Sequence, residues 1–192
     1  MDIDGDGNVN VVEEGLMPDP MTAARALGLL AELGASPWLV RHHELVLEAA
    51  LVLCDRVEAD FALRFDRDHV LVGAALHDAG KIVHPEEMSV PGHQHELAGE
   101  RLLLANGVTA AVARFCITHA RWDAPDASIE DLLVALADTL WKGKREDDLE
   151  RRVADAIKRA ATREAWETFD VLDAICELIA ADGTERLARS NV

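Results

Sequence analysis

The sequence predicts an all-α protein, a single-domain helical bundle, and three observations carry that expectation. Alanine and leucine dominate a chain of 192 residues in which aromatic residues make up only 4% and tyrosine is absent. Apolar residues recur at the i, i+3, i+4 spacing of a helix face, while turn-rich β patterning is missing. The length suits one substantial core, and nothing in the chain requires a second domain or shows a solenoid repeat. The organisation read from the sequence is an acidic tail over 1–19 and a helical domain over 20–192, with its core at 36–145 and further helices over 146–188.

Taken in order, the first element is an acidic opening. Asp2, Asp4, Asp6, Asn8 and Glu13, with Gly7 at the sharp turn, fit the twelve-residue calcium loop of an EF-hand. Two departures stand against it: only Met1 precedes the loop, and Glu14 stands where an apolar residue usually continues. The competing reading is an acidic tail upstream of a start at Met17 or Met21. Next, Met21 to Leu33 has helical spacing and Gly34 supplies a stop. Ser36-Pro37 then reads as an N-cap with proline at the first helical position.

In Trp38 to Val57, His42, Val46, Ala49, Ala50 and Leu53 fall on one face. His42 therefore joins the apolar stripe, and His43 is expected about 100° away from it. A turn region follows over 59–68. Val70 to Ile82 is small and apolar until His77 and Asp78 emerge side by side, with Gly80 as the expected helix stop and Lys81 about a turn away. Burying an imidazole and a carboxylate without partners is costly. A divalent cation satisfies both at once, whereas the plainer reading is a hydrogen-bonded core pair.

Ile82 to Gln94 shows no period and reads as an irregular loop, either a lid over a site or a solvated connector. A helix is expected from His95 to Asn106, ending at Gly107. His119 closes the helix after it, as a ligand or as a surface cap favoured by the helix dipole, with Arg121 and Trp122 just beyond. Ser128 and Asp131 have the form of a capping box. In the helix that follows, Asp138 is an acidic intrusion among leucines and alanines, most simply explained as bound to something buried. Residues 148–187 carry two amphipathic helices without a ligand cluster, packing the outside of the bundle or forming a homodimer surface.

The pattern H…HD…D with ALHDAGK at its centre resembles the HD superfamily of metal-dependent phosphohydrolases, over roughly residues 36–145. The resemblance implies an HD-type bundle with His42, His77, Asp78 and Asp138 as metal ligands, the family's first histidine having an apolar residue four positions on, as Val46 is here. His95, Glu96 and Gly99 match a form that follows HD-x-G-K in several members, where the histidine often serves a second metal. His119 is available as its partner, with Asp78 bridging. The implied function is hydrolysis of a small anionic phosphoester, such as a nucleotide or a related phosphomonoester or diester, by metal-activated water. Asp78 and Lys81 are the catalytic residues of this reading, and one or two divalent transition metals (Mn, Fe, Zn, Ni or Co) the cofactor. A di-iron oxygenase of the inositol oxygenase type, a non-catalytic nucleotide- or metal-binding module and a calcium-responsive module stay open as alternatives.

Charge and cysteine usage narrow the partners. With 36 acidic against 19 basic residues the formal net charge is −17, a surface that repels nucleic-acid backbones and anionic lipid. An anionic substrate needs local relief, for which Lys81 and Arg121 are candidates. Cys54, Cys116 and Cys176 lie singly in apolar stretches and read as reduced core thiols. No apolar run reaches the length of a membrane span, so the expected place is the cytoplasm.

Overall fold

The helix signals act largely where the sequence puts them. A computed structural model describes residues 21–160 and 165–190. The calcium-loop residues Asp2, Asp4, Asp6, Asn8 and Glu13, and the tail they belong to, lie outside the described residues. Helix α1 spans Ala23–Glu32 and ends before Gly34, which takes a left-handed φ of 89°. In α2 (Pro37–Phe61) the Ser36 hydroxyl accepts the Leu39 N–H at 3.2 Å, with Pro37 at the first position. The helix runs past the expected end at Val57 because Val57 and Phe61 are both buried, and Ala62, at φ 49°, terminates it. The turn is accordingly shorter than expected, since Asp66 already caps α3 (Arg67–Leu76) by accepting the His69 N–H at 2.9 Å.

Helix α3 is the axis of the fold. Val70, Leu71 and Ala74 join a core formed with α2, α7 (Ile129–Leu140), α8 (Asp147–Ala160) and α9 (Ala165–Ala181). Val72, Ala75 and Leu76 face a second core with α1, α4 (Gln94–Ala105) and α5 (Ala110–Ala113). A helix buried on nearly every side has little room for bulk, which explains Gly73: a Cβ there would stand 2.7 Å from the Phe115 ring.

The expected stop at Gly80 is corrected. Helix α3 ends at Leu76, and residues Ala79–Ile82 form a 3₁₀ turn that contains Gly80. The glycine is needed for close approach, because a Cβ on it would overlap the His95 carbonyl of α4, while one on Gly99 would lie 2.7 Å from the Gly80 nitrogen. This glycine-to-glycine contact brings α4 against the segment that carries Asp78. The expected irregular loop is also partly ordered, with a second 3₁₀ turn at Pro85–Met88.

Helices α5 and α6 (Phe115–Thr118) are short pieces around Arg114. Helix α7 opens with the expected capping box, Ser128 and Asp131 each accepting from the other's backbone N–H. Arg114 adds two contacts to the Asp131 carboxylate at 2.6 and 2.7 Å. Two C-terminal helices were expected and three are present, α10 (Gly183–Ser190) being the addition. It is fastened by Arg186, 1% exposed, which donates to the Ile179 carbonyl at 2.8 Å and to Glu48 at 3.2 Å. Among the described residues there is no strand, and no helix is long and apolar enough to cross a membrane. All three cysteines are buried and unpaired.

Candidate metal centre

The six histidines and aspartates that the resemblance implies as transition-metal ligands come to one place. His42 arrives from α2, His77 and Asp78 from the end of α3, His95 from the first turn of α4, His119 from the end of α6 and Asp138 from α7. On one side, Asp78 Oδ2 lies 3.2 Å from His42 Nε2 and 3.5 Å from His77 Nε2. Asp138 Oδ1 completes that group at 3.5 Å from His77 Nε2 and 3.9 Å from His42 Nε2. On the other side, Asp78 Oδ1 lies 3.2 Å from His95 Nε2 and 3.6 Å from His119 Nε2. Asp78 thus offers one oxygen to each of two donor sets, His42 with His77 and His95 with His119.

These approaches are close without being hydrogen bonds. His42 Nε2, His77 Nε2 and Asp78 Oδ1 are buried and have no hydrogen-bond partner, a costly state for three convergent polar atoms. Donors about 2.1 Å from a shared ion stand about 3.0–3.4 Å apart at tetrahedral or octahedral angles. The observed spacings of 3.2–3.6 Å suit that arrangement, and imidazole with carboxylate is a donor set for Zn, Mn, Fe, Co or Ni. The residues therefore fit a divalent metal, with places for one ion or two.

Each ring is held by its other nitrogen, which leaves Nε2 facing the centre. His77 Nδ1 lies 3.0 Å from the Ala74 carbonyl and His119 Nδ1 2.9 Å from that of Phe115, so both Nδ1–H groups donate to backbone. His95 Nδ1–H donates instead to Glu87 Oε2 at 2.5 Å. The same carboxylate accepts the backbone N–H groups of Gln94 and His95, at 3.1 and 3.0 Å, and so caps α4. Glu87 was not foreseen, because a helix-capping carboxylate reached from seven or eight residues upstream matches no local capping pattern.

His43 corrects another expectation. It is not turned away from the core but fully buried, its Nδ1 3.2 Å from the Ala74 carbonyl that His77 also uses. Its ring meets the His77 ring edge-on with centroids 4.9 Å apart. His42, with a side chain 13% exposed, has the side of α2 that faces Asp78, so His43 supports the ring behind the cluster.

The electrostatics match this burial. Burial works to raise the Asp78 carboxyl, yet the surrounding histidines, His77 foremost, outweigh it and hold it well below the usual range. Burial likewise opposes the lowering of Asp138, which His77 and Lys142 bring about. His119 is pushed down to about 4, chiefly by burial and then by His77, and His43 is pushed well down by burial first. Against burial, Asp78 raises His77 and His95, with Asp138 adding to the first and Glu87 to the second, so a cation binding here displaces protons from those two rings.

Lys81 Nζ lies 2.6 Å from Asp78 Oδ2, and Lys142 Nζ lies 3.8 Å from Asp138 Oδ2. Beside them a cleft of about 160 Å³ is lined by Trp38, Leu39, His42, Lys81, Met88, Trp141, Lys142 and Ser190. A larger groove of about 450 Å³, between α1, α2 and α10, contains none of the candidate ligands. From the Ile82 to Gln94 segment, Met88 lines the smaller cleft. Arg121 borders a different one with Arg114 and Asp131, and Trp122 packs on the core.

Comparison with known proteins bears on this geometry. The sequence profile of the HD domain matches residues 39–142. A tRNA (cytidine(56)-2'-O)-methyltransferase of Thermoplasma volcanium is 28% identical over 156 residues, covering 73% of this chain. The chain spans 42% of that relative's own length. No solved structure matches.

Proposed function

Because the chain belongs to the HD domain family, we propose that it is a metal-dependent phosphohydrolase, acting on a small phosphoester such as a nucleotide or related ester by direct attack of water. The observation that carries the reading is Asp78, a buried carboxylate whose two oxygens each meet two histidine Nε2 atoms, those of His42 and His77 being buried without a hydrogen-bond partner. His42, His77, Asp78 and Asp138 would hold one ion, and His95 and His119 with the other Asp78 oxygen a second. A divalent ion bound there supplies Lewis acidity and lowers the pKa of water from about 16 to about 7.

The chain's own residues supply the remaining parts. Lys81, anchored on Asp78, presents an ammonium beside the cluster, where it neutralises charge on phosphoryl oxygens. A covalent route through a thiol is disfavoured: Cys54, Cys116 and Cys176 are buried, and burial pushes the Cys54 and Cys176 thiols up to about 12. Attack by a thiolate needs an ionised, reachable sulfur. Methyl transfer to tRNA, the activity for which the relative is named, is not carried over, since a net charge of −17 opposes a polyanion.

The reading is tested by reconstituting metal-stripped protein with Mn, Fe, Co, Ni or Zn and measuring phosphate release from nucleotides, cyclic nucleotides and sugar phosphates. Release that requires metal supports it. An untouched panel, with dioxygen consumed by the iron-loaded protein and a polyol or phosphonate, would replace hydrolysis by oxygenation.

A further inference from the structure

The cleft beside His42 contains more polar chemistry than the metal ligands explain. Lys142 is 3.8 Å from its nearest carboxylate oxygen, Asp138 Oδ2, beyond hydrogen-bond length, so all three of its ammonium protons are available. Across the cleft, Lys81 spends one proton on Asp78 Oδ2 at 2.6 Å and keeps two. Trp141 is 7% exposed and lines the same cleft, yet its Nε1–H is buried without an acceptor. Its ring meets that of His42 edge-on, centroids 5.1 Å apart, which places the indole beside the candidate ligands. An unmade donor of this kind is rare unless something arrives to accept it.

We propose that this cleft is a phosphoryl subsite for a compact phosphomonoester, with Lys81, Lys142 and the Trp141 indole N–H as its donors. The inference rests on the hydrolase reading and narrows it. Two ammonium groups match the roughly −1.5 to −2 charge of a phosphomonoester near neutral pH, where a diester carries one negative charge. Size points the same way. At about 160 Å³ the cleft is smaller than the roughly 300–1,000 Å³ of pockets that take drug-sized molecules, which favours a compact ester. Trp38, 40% exposed, with Leu39 and Met88 forms an apolar wall against which one small alcohol group lies.

The test is binding to the metal-loaded full chain, followed by calorimetry and by the indole N–H resonances. The probes are inorganic phosphate, methylphosphonate as an uncleavable monoester mimic, and dimethyl phosphate as the diester. Methylphosphonate is expected to bind at least about tenfold tighter than dimethyl phosphate and to shift the Trp141 N–H signal. Lys142→Ala should weaken phosphate and methylphosphonate by about tenfold or more, and Lys142→Arg should restore most of the loss. The Lys142 side chain is 38% exposed, and circular dichroism checks that both variants keep the fold. Unchanged binding in Lys142→Ala, a still Trp141 signal, or equal affinity for the diester overturns the subsite. Phosphate release indifferent to Lys142→Ala overturns it as well while keeping the hydrolase reading. Lys142-dependent methylphosphonate binding in a protein that cleaves no ester keeps the subsite and removes the hydrolase.

Discussion

Glu87 and His95 are joined by a 2.5 Å hydrogen bond in which the imidazole Nδ1–H donates to a carboxylate with a side chain only 5% exposed. The bond fixes the ring with Nε2 toward Asp78, 3.2 Å away. Because Glu87 also accepts the Gln94 and His95 N–H groups, ring orientation and the start of α4 depend on one side chain.

Glu87→Gln separates those tasks. Glutamine keeps the size but turns an NH₂ toward backbone donors or toward the His95 ring, so one of the bonds is lost. Metal affinity at the His95–His119 position is expected to fall roughly 10–100-fold, the usual cost of losing such a supporting partner, with the His42–His77 position little changed. Metal titration reads both. Full occupancy with unaltered affinity at both positions would show that His95 needs no such support or is no ligand.

His77→Ala and Asp78→Ala are expected to strip metal far more severely. Both residues sit at the end of α3, whose Leu71, Ala74 and Leu76 remain in place to hold the helix. Metal content by elemental analysis should therefore collapse while helical circular dichroism persists. His95→Ala should leave about one ion per chain if two are bound to the native protein. Asp78→Ala protein that retains its full metal content would remove the assignment of this cluster.

Much of this site was legible in the sequence because buried polar residues stand out against apolar helices. His77, Asp78 and Asp138 interrupt runs of alanine and leucine, and caps such as Ser36-Pro37 and Ser128–Asp131 work through neighbours three residues apart. What was missed depends on distant contacts. Gly80 looked like a helix stop, since its need for room comes from His95 and Gly99 of α4, fifteen and nineteen residues later. Arg186 carries no local signal of burial, which Glu48, Asp182 and the carbonyls of Trp141 and Ile179 make tolerable. His43 shows the limit of a helical wheel on a long helix packed on several sides: the wheel put His42 on the apolar stripe, yet the adjacent His43 is the more deeply buried of the two.

The capping box of α7 makes a prediction about acid stability. Burial raises the Asp131 carboxyl, but hydrogen bonds from Arg114 and Ser128 outweigh it and hold it below the ordinary value. A carboxyl so lowered stabilises the fold above its unfolded pKa of about 3.9 and loses that contribution as pH falls through the folded value. Asp131→Asn should thus cost about 1–3 kcal/mol near neutral pH, with the gap to the native chain closing in urea melts well below pH 4. A gap independent of pH would mean that shape, not charge, holds Asp131 in place.

The last prediction concerns how the ester bond breaks. Without a reachable thiolate, and with Lys81 held on Asp78 as a charge beside the cluster, water is expected to supply the new oxygen directly. A single turnover in ¹⁸O-labelled water is then expected to place one labelled oxygen in the released phosphate, with no phosphorylated protein trapped by acid quench. Lys81→Ala should lower turnover by roughly 10²-fold, in line with loss of one donor to developing charge. Its metal content should stay native, because Lys81 contacts Asp78 Oδ2 from outside the ligand set. Label appearing in the alcohol instead would place the attack at carbon, and a trapped phosphoprotein would replace direct hydrolysis by a covalent route, with the Ser190 hydroxyl on the cleft wall as the first side chain to test.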